Sequence, residues 1–271
     1  SDPKATGIGT HSAQALSHLA CAPDLGVVTV FRRNPPPMSY KAQLKGVQQF
    51  LDKSDGRDKL LATVQYVAMF ISAGQPGDVK KVQASVAAAR KVFRIMRPLE
   101  SLNPIIQNPT LNSNRPLVLE LLAKLKSVLM AIYFGGDNIV WASQAGILQN
   151  KTLILRAQKA SLYGWAGGSV IGVITELHEL QGLTARRVGE VEEVYQARLE
   201  KNGAEITRHL LLLVHSLVQA LLAVGLLELR PWKPRTVGML GIIASALNCY
   251  MLFPALPAPA KASTKSFAKV A

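Results

Sequence analysis

The sequence predicts an all-α integral membrane protein, with N-terminal amphipathic helices followed by a C-terminal transmembrane hairpin. Three observations carry this. Apolar residues make up 49% of the 271 residues, mean hydropathy is +0.19, and the apolar residues are gathered into blocks rather than spread evenly. Two uncharged blocks, 210–227 and 236–254, approach the roughly 20 residues that a helix needs to cross hydrocarbon. The formal net charge of +14 suits the anionic face of a phospholipid membrane. Nucleic acid is excluded as the partner, because aromatics are only 6% and no basic-aromatic stripe for base stacking occurs.

Residues 1–37 show no steady period and end in Asn34-Pro35-Pro36-Pro37, which predicts a flexible leader with Met38 as an alternative start. Residues 38–158 form the amphipathic helical region, facing cytosol and membrane surface. Its first helix carries Leu44, Val47, Phe50 and Leu51 at helical spacing. Ser54 or Asp55 is expected to cap the second, which carries Leu60, Leu61, Val64, Val67, Ala68 and Ile71 and stops at Gly74-Gln75-Pro76-Gly77.

A third helix is expected from Asp78 to about Arg97, before Pro98. On one side fall Val79, Val82, Val86, Ala89, Val92, Phe93 and Met96, and on the other Lys80, Lys81, Arg90, Lys91 and Arg94, with Arg97 at its end. A basic amphipathic helix of this kind can lie in the headgroup plane of an anionic membrane and wedge its apolar face into one leaflet. The membrane-binding residues expected on this basis are Lys80, Lys81, Val82, Val86, Arg90, Lys91, Phe93, Arg94, Met96 and Arg97. The same pattern also suits a surface helix packing its stripe on its neighbours.

Three prolines between 103 and 116 predict a loop. A fourth helix over about 117–134 is amphipathic rather than spanning, because Glu120, Lys124 and Lys126 interrupt it, and 137–158 continues helically. The membrane-embedded region is 159–254, with a charged insert at 181–208. Its first block, 160–175, is uncharged but short for a span. It carries Gly164, Gly168 and Gly172, two overlapping G-x-x-x-G steps that let another helix approach closely, either for self-association or within the monomer. The tail, 255–271, is Ala/Pro/Lys-rich and expected to be flexible.

Cys21 and Cys249 are the two cysteines, and nothing pairs them, which suits a reducing compartment. His215 in the first spanning block has no acidic partner in the hairpin and reads as structural. No catalytic, metal or cofactor residues are expected. Glu176-Leu177-His178-Glu179 is not a two-histidine metal helix, no phosphate-cradling Gly-Lys-Ser/Thr loop occurs, and no G-x-S-x-G elbow is present. The chain does not read as an enzyme.

The run Phe50-Leu51-Asp52-Lys53-Ser54-Asp55-Gly56-Arg57-Asp58-Lys59-Leu60, with Val64-Gln65-Tyr66, resembles the N-terminal signature of the peroxin-eleven family of peroxisomal membrane proteins. Ala89-Arg90-Lys91-Val92-Phe93-Arg94 with Pro98-Leu99-Glu100, then Asp137-Asn138-Ile139-Val140-Trp141 with Gly146-Ile147, then Cys249-Tyr250-Met251-Leu252-Phe253-Pro254, resemble later parts of plant-type members. The resemblance covers about 40–254. It implies a peroxisomal membrane location, tubulation and elongation of that membrane by the helix at 78–97 before fission, self-association into homo-oligomers, and fission machinery (adaptor and dynamin-related proteins) as partners. It also implies cytosolic termini. Charge agrees: Arg198, Lys201, Arg208, Lys261, Lys265 and Lys269 flank the hairpin, against Arg230, Lys233 and Arg235 in its turn. The alternative reading is a non-selective metabolite pore of the same membrane, with His215, Gln219 and the polar residues of 160–175 as candidate lining.

Overall fold

The computed structural model describes residues 40–111 and 115–254. The expected leader, the tail and Cys21 lie outside the described residues. Within them the chain forms eight helices and no strand. These are α1 (Tyr40–Asp52), α2 (Ser54–Ser72), α3 (Asp78–Val92), α4 (Arg97–Gln107), α5 (Leu117–Gln144), α6 (Lys151–Thr184), α7 (Glu192–Leu226) and α8 (Pro234–Leu252).

Several boundaries differ from the sequence reading, each for a local reason. Lys53, in extended conformation, is the N-cap of α2, and the Ser54 hydroxyl instead donates to the Phe93 carbonyl at 3.2 Å. The α2–α3 connection falls at the expected glycines: Ala73 and Gly74 both take left-handed φ values, 51° and 82°, a geometry that favours glycine. α3 ends at Val92 rather than near Arg97. Residues 93–96 form a tight turn, and Pro98 sits in the first turn of α4, where its missing N–H costs nothing. The expected loop at 103–116 is therefore helical up to Gln107. Between α5 and α6, Gly146 turns at φ 79° and the Asn150 side chain caps α6 by accepting from the Leu153 N–H at 3.1 Å.

α5, α6 and α7 pack in succession as antiparallel neighbours, and α8 folds back along α7. α3 lies on α2, and α4 lies on α5. The less expected contact joins the two ends of the described chain. α2 runs antiparallel along α8: Phe70 meets Gly238, Tyr66 meets Gly241, and Thr63 Oγ1 stands 4.0 Å from Cys249 Sγ. Beyond α2's first turn, the Phe50 and Phe253 rings are 5.8 Å apart. A methyl group at Gly241 would stand 2.1 Å from the Tyr66 ring, so only glycine admits this approach. The core follows: Ala62 and Tyr66 of α2, Trp165 of α6, Leu222 and Ala223 of α7, and Val237 and Ala244 of α8 pack together.

α7 and α8 are long and apolar enough to cross a membrane, with mean hydropathy 2.0 and 1.3 over their most apolar windows. Only 11% of the α7 window is buried in the protein. A core helix of a water-soluble bundle would be mostly covered, so α7 carries its apolar side chains outward. The charged insert, 181–208, is the end of α6, a short connection and the start of α7. Arg198 closes it, donating from Nε and Nη2 to the two oxygens of Glu190 at 2.9 and 3.0 Å.

Candidate membrane-facing site

The signature Ser54-Asp55-Gly56-Arg57-Asp58 starts α2, and each member has a defined contact. Gly56 lies under α1, where a Cβ would stand 1.9 Å from the Phe50 carbonyl oxygen. The Arg57 Nε donates to the Leu51 carbonyl at 2.5 Å, and Asp55 pairs with Arg97. Asp58 is 3% exposed and holds the next helix. Its Oδ1 accepts from Arg90 Nε at 3.1 Å and from Arg94 Nε at 3.0 Å, and its Oδ2 accepts from Arg94 Nη2 at 3.0 Å. Arg94 Nη1 continues to the Tyr133 hydroxyl at 2.7 Å and to Asp137 Oδ2 at 2.9 Å. Arg90 Nη1 donates to Gln65 Oε1 at 2.6 Å. Next to Asp137, Asn138 donates from Nδ2 to the Ile95 carbonyl at 2.9 Å, tying down the turn after α3.

Electrostatics explains the cluster's protonation. Burial works against the Asp58 carboxylate, but the positive charges of Arg94, Arg90 and Lys59 outweigh it and hold the group well below the ordinary carboxylate range. Burial lowers Lys59 to about 8, with Asp58 opposing the shift and the two guanidiniums adding to it. Burial also pushes the Tyr133 phenol up. Such a network, once satisfied, positions its helices; a missing partner strands a buried charge.

These pairs correct the expected membrane-binding set. Arg90 and Arg94 are 8% and 6% exposed and point into the protein, because Asp58 and Asp137 neutralise them there. Lys91, Val86 and Phe93 are half-buried, and Arg97 is half-buried between Asp55 and Glu100. Lys80, Lys81, Val82 and Met96 are exposed. α3 therefore turns Val79, Val82 and Val92 outward, with Met96 in the following turn, and seats its arginines inward. Of the expected apolar side, Val79, Val82, Ala89, Val92 and Met96 are exposed, whereas Val86 and Phe93 are half-buried. α3 also runs beside α2, with Lys80 Nζ on the Gly74 carbonyl at one end and Phe93 on Ser54 at the other.

The glycine face expected to serve self-association is occupied by the chain itself. A Cβ at Gly164 would stand 2.5 Å from the Leu129 carbonyl oxygen of α5, at Gly168 3.0 Å from Met130 Sδ, and at Gly172 2.8 Å from Ser216 Oγ of α7. All three glycines are buried, and they set the close approach of α5, α6 and α7. The segment 160–175 is thus packed between neighbours. His215 shares a 2.6 Å hydrogen bond with Gln219, and Gln219 accepts from the Trp165 indole.

Beside the ion cluster lies a cavity of about 200 Å³ between six helices. Lys59, Gln65, Arg90, Lys91, Arg94 and Asp137 line its charged side, and Phe134, Leu162, Leu222 and Leu226 its apolar side. Lys59, Gln65, Tyr133 and Asp137 were not singled out as site residues from sequence. Only the four-residue spacing of Arg90 and Arg94 signals that they share one face.

Residues 44–253 match the family profile described as Peroxisomal biogenesis factor 11 (PEX11). The chain is 35% identical over 222 residues to Peroxisomal membrane protein 11-1 of Oryza sativa subsp. japonica, covering 79% of this chain and 93% of that protein. It is 34% identical over 230 residues to Peroxisomal membrane protein 11D of Arabidopsis thaliana, covering 80% and 94%. Similarity extends to Peroxisomal membrane protein PMP30A of Candida boidinii, 30% identical over 157 residues, covering 52% of this chain and 60% of that protein. No solved structure matches.

Proposed function

Because the chain belongs to the Peroxisomal biogenesis factor 11 family, we propose that it is a peroxisomal membrane protein that remodels and elongates its membrane, promoting fission and setting organelle size and number. One observation supports the mechanism most directly: the exposure of Val79, Val82 and Val92 on α3 and of Met96 in the turn after it. The spans α7 and α8 anchor the protein, and the stripe supplies apolar surface for lipid. A valine fully removed from water contributes about 1.5 kcal/mol or more, and a lysine near an anionic surface about 1 kcal/mol. The apolar stripe therefore outweighs the exposed Lys80 and Lys81, which favour an anionic phospholipid membrane. Docked as it is, α3 meets lipid along the flank of the bundle. Lying flat in the headgroup plane requires the Arg90 and Arg94 pairs to open.

Under this reading the termini face the cytosol, copies associate through surfaces other than the buried glycine face, and adaptor and dynamin-related proteins act with it in fission. The role is not enzymatic. No observation favours a pore, since His215 and Gln219 are tied to each other and to Trp165.

The test is reconstitution of the full chain into liposomes rich in anionic phospholipid, with tubules counted by electron microscopy. The double variant Val82→Glu/Val92→Glu removes the apolar stripe without touching the ion cluster and is expected to lose tubulation. Tubulation at the parental level in that variant sinks the mechanism.

A further inference from the structure

We infer that the cavity beside Asp58 binds a single phosphate group, carried on a lipid or on a small soluble ester. The argument starts from charge. Lys59, Arg90, Lys91 and Arg94 converge on the cavity, and only Asp58 and Asp137 answer them. Two positive charges are left over on a wall whose arginines are buried and whose lysines are half-buried, where uncompensated charge is costly. A phosphate monoester carries about −1.5 to −2 near neutral pH, which matches that excess better than a carboxylate.

Hydrogen-bond capacity points the same way. Arg90 uses Nε and Nη1 on Asp58 and Gln65 and also faces the buried Tyr66 phenol. The Gln65 amide nitrogen has no acceptor among the described residues, since only its oxygen is engaged. Lys91 Nζ reaches just the Ala87 carbonyl at 3.5 Å, and it makes no ion pair among the described residues. Two donors and a charge excess on one wall suit an acceptor-rich anion. Burial lowers both Lys59 and Lys91, and the neighbouring guanidiniums add to the shift.

Size bounds the ligand. The cavity of about 200 Å³ has the volume of about seven waters at roughly 30 Å³ each. It admits the phosphate with a short stem against Leu162 and Leu222, and any acyl chains stay outside. The inference does not depend on membrane remodelling by α3.

The experiment uses the purified full chain in a neutral, phosphate-free detergent, titrated calorimetrically with inorganic phosphate and, separately, with dihexanoyl phosphatidic acid. Saturable binding of either probe is expected, weakened about tenfold or more by Lys91→Gln, as befits loss of one charge-assisted bond, and unchanged by Lys201→Gln on the exposed start of α7. Binding of both probes assigns the site to the phosphate group itself. Binding of the lipid alone assigns it to a headgroup. No saturable binding of either, or equal affinity in Lys91→Gln and the parent, overturns the inference.

Discussion

Arg94, in the turn that follows α3, grips Asp58 at the start of α2 with two nitrogens, Nε to Oδ1 and Nη2 to Oδ2, both at 3.0 Å. This fork is the strongest geometry available to an arginine and a carboxylate. It fixes the orientation of α3, and hence which of its faces is turned outward.

Removing the carboxylate should therefore be severe. Asp58→Asn leaves Arg90 and Arg94 buried with one acid between them, at a cost of about 3–5 kcal/mol. Thermal unfolding of the detergent-solubilised protein measures it. Arg94→Lys, which keeps the charge and loses the fork, is expected to fall between the parent and Asp58→Asn.

The pH profile of stability follows from the same cluster. Asp58 has a depressed folded pKa, so its contribution is present above the ordinary value of 3.8 and is lost as pH falls below it. Lys59 is the opposite case. Its folded value is about 8 against 10.5 in the free side chain, so between these the unfolded chain holds more protons and stability rises with pH. Tyr66 and Tyr133, both raised by burial, reverse the slope above about 10, their ordinary value. Unfolding midpoints from pH 3 to 10 should show an acid loss and a shallow alkaline gain, and Lys59→Met should reduce the gain alone, leaving the part that the lowered Lys91 contributes.

The packing of α2 on α8 predicts a cross-link. In a Cys21→Ser background, Thr63→Cys places a thiol opposite Cys249, since the native Thr63 Oγ1 is 4.0 Å from that sulfur. Mild oxidation should give an intramolecular disulfide, seen as a reducible mobility shift. Absence of the shift at full oxidation contradicts this register.

Gly164 separates stability from self-association. Gly164→Ala forces a methyl against the Leu129 carbonyl and should cost about 1–3 kcal/mol through overpacking. Cross-linking between copies should stay at the parental level, because the glycine face is already filled by α5.

What the sequence disclosed and what it withheld follow from the range of each interaction. The uncharged blocks that became α7 and α8 stand out because a span is a local property of composition. The end of α3 did not, since Val92, Phe93 and Met96 continue the helical period through the turn at 93–96. α4 was hidden by its prolines, of which Pro98 starts a helix rather than ending one. The apolar stripe of α3 was legible, but not its direction. Arg90 and Arg94 read as one basic face, and only partners 32 to 43 residues away, Asp58 and Asp137, turn that face inward. The glycine steps showed that a helix approaches closely, but not which helix.

The antiparallel seating of α2 on α8 also constrains how the protein is made. Thr63 and Cys249 are 186 residues apart, so the surface that receives the first long helix belongs to the last of the described helices to leave the ribosome. Until Gly238 and Gly241 are in place, Tyr66 and Phe70 have no groove, and the Asp58 latch has no settled base from which to hold α3. Contacts of such separation form late and slowly. A chain cut short before α8 would lose more than an anchor: it would lack the template on which its N-terminal half is assembled.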